Sequence, residues 1–125
     1  PYDDPRTMAG QGTIAVEILE QLDAEPDLVI VPVGGGGCIS GITTYLAERT
    51  IGTAVLGIEP AGAASMIAAL AAGEPVDLDH VDQFVDGAAV KRAGRRPFQA
   101  LSAAGDMVSV TTVDEGAVCT AMLDL

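Results

Sequence analysis

The chain has 125 residues, 49% of them apolar but only 3% aromatic, and its 18 acidic against 6 basic side chains give a net charge of −12. That negative surplus repels a phosphate backbone and sets nucleic acid aside as a partner, while no apolar run approaches the roughly 18 residues of a membrane-spanning helix. Two cysteines far apart, Cys38 and Cys119, suit a reducing, cytoplasmic setting better than a disulfide framework or a metal site.

In chain order, the first helical signal is GTIAVEILEQL, residues 12–22. Ile14, Ile18 and Leu22 recur at every fourth position with Leu19 beside them, and Thr13 is the expected N-cap. LVIVPV, from Leu28 to Val33, is a continuous apolar run of the kind found in parallel strands covered on both faces. Four glycines follow, and helical spacing returns through Ile39, Ile42 and Leu46. A second strand is expected from Ala54 to Glu59, stopped by Pro60, and an Ala-rich helix closes at Gly73. Residues 74–94 read as a loop with a short strand near Phe84. PFQALSAAG then suggests a helix with Pro97 in its first turn, MVSVTTV a strand, and EGAVCTAMLDL a last helix. The alternation predicts a single α/β unit over residues 1–125, a parallel sheet with helices on both faces and an aliphatic core.

Gly34, Gly35, Gly36 and Gly37 hold the main functional signal. Glycine gives up the most backbone freedom on folding, so four in a row are costly unless the backbone must do something other residues cannot. Here they lie between the carboxyl end of a parallel strand and a helix N-terminus, where ligands of open α/β sheets bind and where unpaired amides and the helix dipole attract anions. A tight turn without a ligand is the alternative, and the length of the run favours phosphate. The loop lacks the Lys and Ser/Thr of a triphosphate-binding loop. It also fails G-x-G-x-x-G, since Ile39 or Ser40 falls where the last glycine belongs. A small terminal phosphate held by main-chain amides fits best, with Cys38 adding its N–H and Ser40 a hydroxyl.

VPVGGGGCISG resembles the phosphate-binding loop of the fold-type II pyridoxal-phosphate enzymes, in the threonine dehydratase and serine racemase group. PYDDPRTMAGQGTIAVEIL, GIEPAGAASM, FVDGAAVKR and DEGAVCTAMLDL extend the resemblance, in order, across nearly the whole chain. It implies part of the large domain of a tryptophan synthase beta-like fold and pyridoxal 5'-phosphate as cofactor. The implied reaction is deamination of threonine to 2-oxobutanoate and ammonia by an allosteric, homo-oligomeric enzyme of isoleucine synthesis. Serine dehydratase or racemase chemistry, or a phosphate-binding module without catalysis, are the alternatives. The resemblance places the phosphate on the amides of Gly34 to Cys38, Gly87 against the cofactor ring and Glu115 toward the active site. Relatives hold a cation through residues matching Glu59 and Ala63, but Ser65 stands where their Asp would be. The family's Schiff-base lysine belongs upstream of these stretches. Lys91, the only lysine, matches no catalytic position, so the chain by itself is expected to be inactive, a piece of something longer, and marginal or self-associating.

Among the remaining candidates, Lys91, Arg92, Arg95 and Arg96 could hold a carboxylate but read better as a solvated loop. His80, between Asp79 and Asp82, reads as a surface residue. Pro1 to Asp4 read as a turn ahead of Pro5, with bordering the active site as the lesser alternative, Cys119 as packing, and Met66, Met107 and Met122 as core filler. Gln11 is a candidate for a domain interface.

Overall fold

The computed structural model describes residues 2–125, so Pro1 of the opening turn lies outside the described residues. Helix α1 (Pro5–Gln21) begins earlier than its hydrophobic spacing suggests. The Asp4 carboxylate accepts from the Arg6 amide at 2.8 Å and caps it. Thr13 is therefore not the cap; its hydroxyl donates to Gly10 O at 2.7 Å inside the helix.

Strands β1 (Leu28–Pro32), β2 (Ala54–Pro60) and β3 (Val108–Val113) form one parallel sheet in the order β1-β2-β3. The register sets Val31 beside Gly57 and Gly57 beside Val110. Helix α2 (Gly37–Arg49) crosses from β1 to β2 and buries Ile39, Ile42 and Leu46 against Val31, Val33 and Val55. Each of these buried aliphatic side chains contributes about 1.5–3 kcal/mol relative to exposure. Helices α3 (Ser65–Ala72) and α4 (Arg95–Ala104) add Met66, Ala69 and Leu101, and α5 (Glu115–Leu123) follows β3. The core is aliphatic, as the composition requires.

Burial alternates along β1. Val31 is 3% exposed, whereas Leu28 and Ile30 on the opposite face are 49% and 62% exposed. The continuous apolar run therefore is not covered on both faces by the described residues; the covering helix layer lies on the Val31 side.

Helix α1 corrects the sequence reading in a second way. Ile14 and Leu22 are 40% and 48% exposed, while Gly12 and Ala15 are buried. The two helices approach so closely at Gly12 and Gly41 that a Cβ on Gly41 would strike the Met8 carbonyl. Gly12 and Ala15 rather than Ile14 are buried in this helix, and Leu19 of the expected apolar face packs against the core. Gly73 closes α3 in a left-handed conformation, φ 78°, as its position in the sequence suggests.

Residues 74–94 contain no strand. The Asp82 carboxylate takes the Phe84 amide at 2.8 Å, a local turn that competes with any sheet ladder, and Phe84 is 59% exposed. A single 3-10 turn, Asp86–Ala88, follows. Met66 is fully buried and the half-buried Met107 packs against the same core, whereas Met122 is 69% exposed and is not core. Cys119 is half-buried. Among the described residues no helix is long and apolar enough to cross a membrane.

Candidate functional site

The four glycines form the turn from the end of β1 into α2. Gly36 is the N-cap of α2 with φ 93°, a left-handed conformation that side chains resist. A Cβ there would also lie 2.5 Å from Met66 Cε and 2.8 Å from Pro97 Cβ. Gly35 packs against the Tyr2 ring, which leaves no room for a side chain. The run is thus braced by residues from three distant parts of the chain.

The polarity of the loop is one-sided. The carbonyls of its last three glycines are engaged: Gly35 O accepts from Gly94 N at 2.9 Å, Gly36 O from Ser40 N at 3.0 Å, and Gly37 O from Ser40 Oγ at 3.0 Å. No acceptor among the described residues meets the amides of Gly35, Gly36, Gly37 and Cys38, and no side chain caps the helix. A strand end that turns its carbonyls inward and leaves consecutive amides free, at the positive end of a 13-residue helix, has the geometry and polarity that can hold a small anion.

A cleft of about 620 Å3 opens over these amides. Its walls bring together Gly34 to Cys38 with Gly87, Ala88 and Val90, and add Tyr2, Thr7 and Gln11. Gly34 lies under Gly87 O and Ala88 Cα, both within 3.4 Å of where its Cβ would stand. Burial pushes the Cys38 thiol above its usual range, so the sulfur stays protonated and contributes its amide alone. Ser40 does not present its hydroxyl to a ligand. It is buried and spends its proton on Gly37 O, bracing the loop from inside.

The other predicted residues stand elsewhere. Glu115, half-buried at the start of α5, does not line the cleft; its Oε1 accepts from Gly62 N at 2.7 Å. Glu59 and Ala63 are buried one strand away, and both Glu59 oxygens are taken by α3 amides at 2.7 and 2.9 Å. The nearby Ser65 hydroxyl is buried without a partner. Lys91 and His80 are exposed. In the basic segment Arg92 pairs with Asp77 at 3.1 Å, and the amides of Arg95 and Arg96 are capped by Asp3 at 3.1 and 2.8 Å. A second cleft, about 590 Å3, runs past Arg92 and Arg95, but Asp3 and Glu74 share it, so its charge is mixed.

Tyr2, expected mainly as part of a turn, lines the cleft, the lesser of the two sequence readings. Besides packing against Gly35, its hydroxyl donates to Arg92 O at 3.1 Å and ties the start of the chain to the segment before α4. No local pattern could have announced this, because the two residues are 90 positions apart.

A family model described as pyridoxal-phosphate dependent enzyme matches residues 1–125. The chain is 81% identical over its whole length to an L-threonine dehydratase biosynthetic IlvA of Mycobacterium leprae, and 50% identical to one of Bacillus subtilis, in each case spanning 29% of the relative. Among solved structures it resembles the processed form of threonine deaminase isoform 2 from Solanum lycopersicum at 41% identity and a TM-score of 0.81, over 88% of this chain and 32% of that one. A maize serine racemase matches at 34% identity and a TM-score of 0.83, over 94% of this chain and 36% of that one. The free amide arc, the cleft above it and a family model that leaves no residue unmatched converge: this chain belongs to the family of pyridoxal-phosphate dependent enzymes.

Proposed function

We propose that the full-length protein carrying this chain deaminates threonine to 2-oxobutanoate and ammonia, serves isoleucine synthesis in the cytoplasm, and works as a homo-oligomer. The observation that carries the reading is the loop in which Gly35, Gly36 and Gly37 turn their carbonyls away while the amides through Cys38 stay free. A doubly charged phosphate is the ligand such an arc fits, and the names of the relatives supply the substrate.

Pyridoxal phosphate, when bound, supplies the electron sink through which the α-proton and then the β-hydroxyl of an amino acid are lost. The chain's own residues bind and orient. The amides of Gly34 to Cys38 hold the phosphate, and the α2 dipole favours its charge. Gly87, at the cleft wall, leaves room for a flat ring. Tyr2 and Met66 pack against the loop and brace it. No residue of this chain is assigned a proton-transfer role.

The test is turnover by the purified full-length protein with pyridoxal phosphate. L-threonine should yield 2-oxobutanoate, with L-serine the poorer substrate. Faster turnover of serine, or its racemisation, would replace threonine with serine as substrate. Absence of any oxo acid from either would overturn the lyase reading.

A further inference from the structure

Among the described residues Glu59 is the only charged side chain that is fully buried. It lies near the end of β2, next to the strand that delivers the glycine loop, since Val33 N donates to Ile58 O at 2.8 Å. Its Oε1 accepts from Met66 N at 2.7 Å and its Oε2 from Ile67 N at 2.9 Å. Helix α3 has no side-chain cap of its own, because Ala64 stands at its N-cap. Glu59 does that work from another element, with both of its oxygens.

Burying a carboxylate is a costly way to cap an eight-residue helix, where a serine at the cap position would serve. What the costly arrangement secures is placement. Met66 is the first residue whose amide Glu59 holds, and its methyl group is the atom that stands 2.5 Å from where a Gly36 Cβ would be. Gly36 is in turn the left-handed residue that aims the free amides at the cleft. The line runs from carboxylate to α3 to Met66 to Gly36 to the anion.

We propose that Glu59 is a positioning residue for the anion cradle: it fixes the first turn of α3 so that Met66 braces Gly36 and sets where the amides meet the phosphate. The proposal rests on the cradle reading above. Glu59→Gln keeps the shape but sets an NH2 donor against one of the two α3 amides, so one end of the clamp is lost.

The experiment compares binding of pyridoxal phosphate and of pyridoxal, which lacks the phosphate, to the full-length apoprotein. Wild type should prefer the phosphorylated form strongly. In Glu59→Gln the dissociation constant for pyridoxal phosphate should rise about tenfold, while that for pyridoxal changes less than about twofold. The 31P resonance of the bound phosphate should shift in the same variant. Met66→Ala should show the same selective loss, and the double variant no more than the larger single one, because both act through one contact. An equal loss for both ligands, or an unchanged preference, overturns the role of Glu59. Should Glu59→Gln fail to fold, Met66→Ala decides by itself, and an unchanged preference there overturns the proposal. A wild type without preference for the phosphorylated form would instead sink the cradle reading, a distinguishable failure.

Discussion

Gly36 combines two demands that usually fall on different residues, a left-handed backbone and a site already filled by Met66 and Pro97. Gly36→Ala should cost about 1–3 kcal/mol from backbone strain. Thermal unfolding with and without pyridoxal phosphate should show both a lower midpoint and a smaller ligand-induced rise than wild type. Glu59 lends itself to a pH experiment. Burial, which outweighs the two amide bonds, raises its folded pKa above the ordinary 4.5, so over the interval between them the folded chain holds a proton that the unfolded chain has released. The stability this contributes is full below 4.5 and is lost as pH rises through the folded value. Denaturant unfolding of wild type and Glu59→Gln across that interval should show the wild-type advantage shrinking as pH rises. A constant difference would mean that Glu59 titrates normally.

At the level of elements, the closest packing is the α1–α2 crossing. A Cβ on Gly41 meets the Met8 carbonyl and lies 2.8 Å from Gly12 N, all backbone that cannot swing aside. Gly41→Ala should destabilise by about 1–3 kcal/mol as an overpacked contact, checked by chemical denaturation. The crossing also marks how far the sequence could be read. The strands expected over Leu28–Val33 and Ala54–Glu59, which end at Pro32 and Pro60, the helix closed by Gly73 and the strand-loop-helix at Gly34 to Gly37 were all legible, because glycine, proline and apolar runs act locally. The face of α1 was not, since Ile14 is exposed and Gly12 buried only because Gly41 sits opposite. The supposed strand at Phe84 failed for a similar reason: one Asp82 side-chain bond outweighs a short apolar stretch. At the site, the glycine run stood out in the sequence by itself and Gly87 only through the family resemblance, and the fold sets both on the walls of one cleft. The bracing roles of Tyr2, Met66 and the inward-turned Ser40 could not be read, because each matters only through a partner distant in sequence or a direction of approach.

For the whole molecule, the Leu28 and Ile30 side of the sheet is the feature that sets behaviour in isolation. These two side chains are 49% and 62% exposed and lie on the same face as the half-buried Leu56 and Ile58. Apolar surface of this kind drives association. Residues 1–125 prepared by themselves should therefore sediment as oligomers, and Ile30→Lys should shift them toward monomer. A monomeric wild-type segment would show that this face needs no cover.

The bracing of the glycine loop by Tyr2, Met66 and Pro97 has a kinetic consequence. The loop is braced by contacts among residues 2, 36, 66 and 97, which lie far apart in sequence, and closing the chain on them costs loop-closure entropy. A ligand that recognises it cannot bind the folding transition state if that state lacks these contacts. Pyridoxal phosphate should then leave the refolding rate of the full-length protein unchanged and slow its unfolding in proportion to occupancy, a division that stopped-flow measurements on both limbs can read directly.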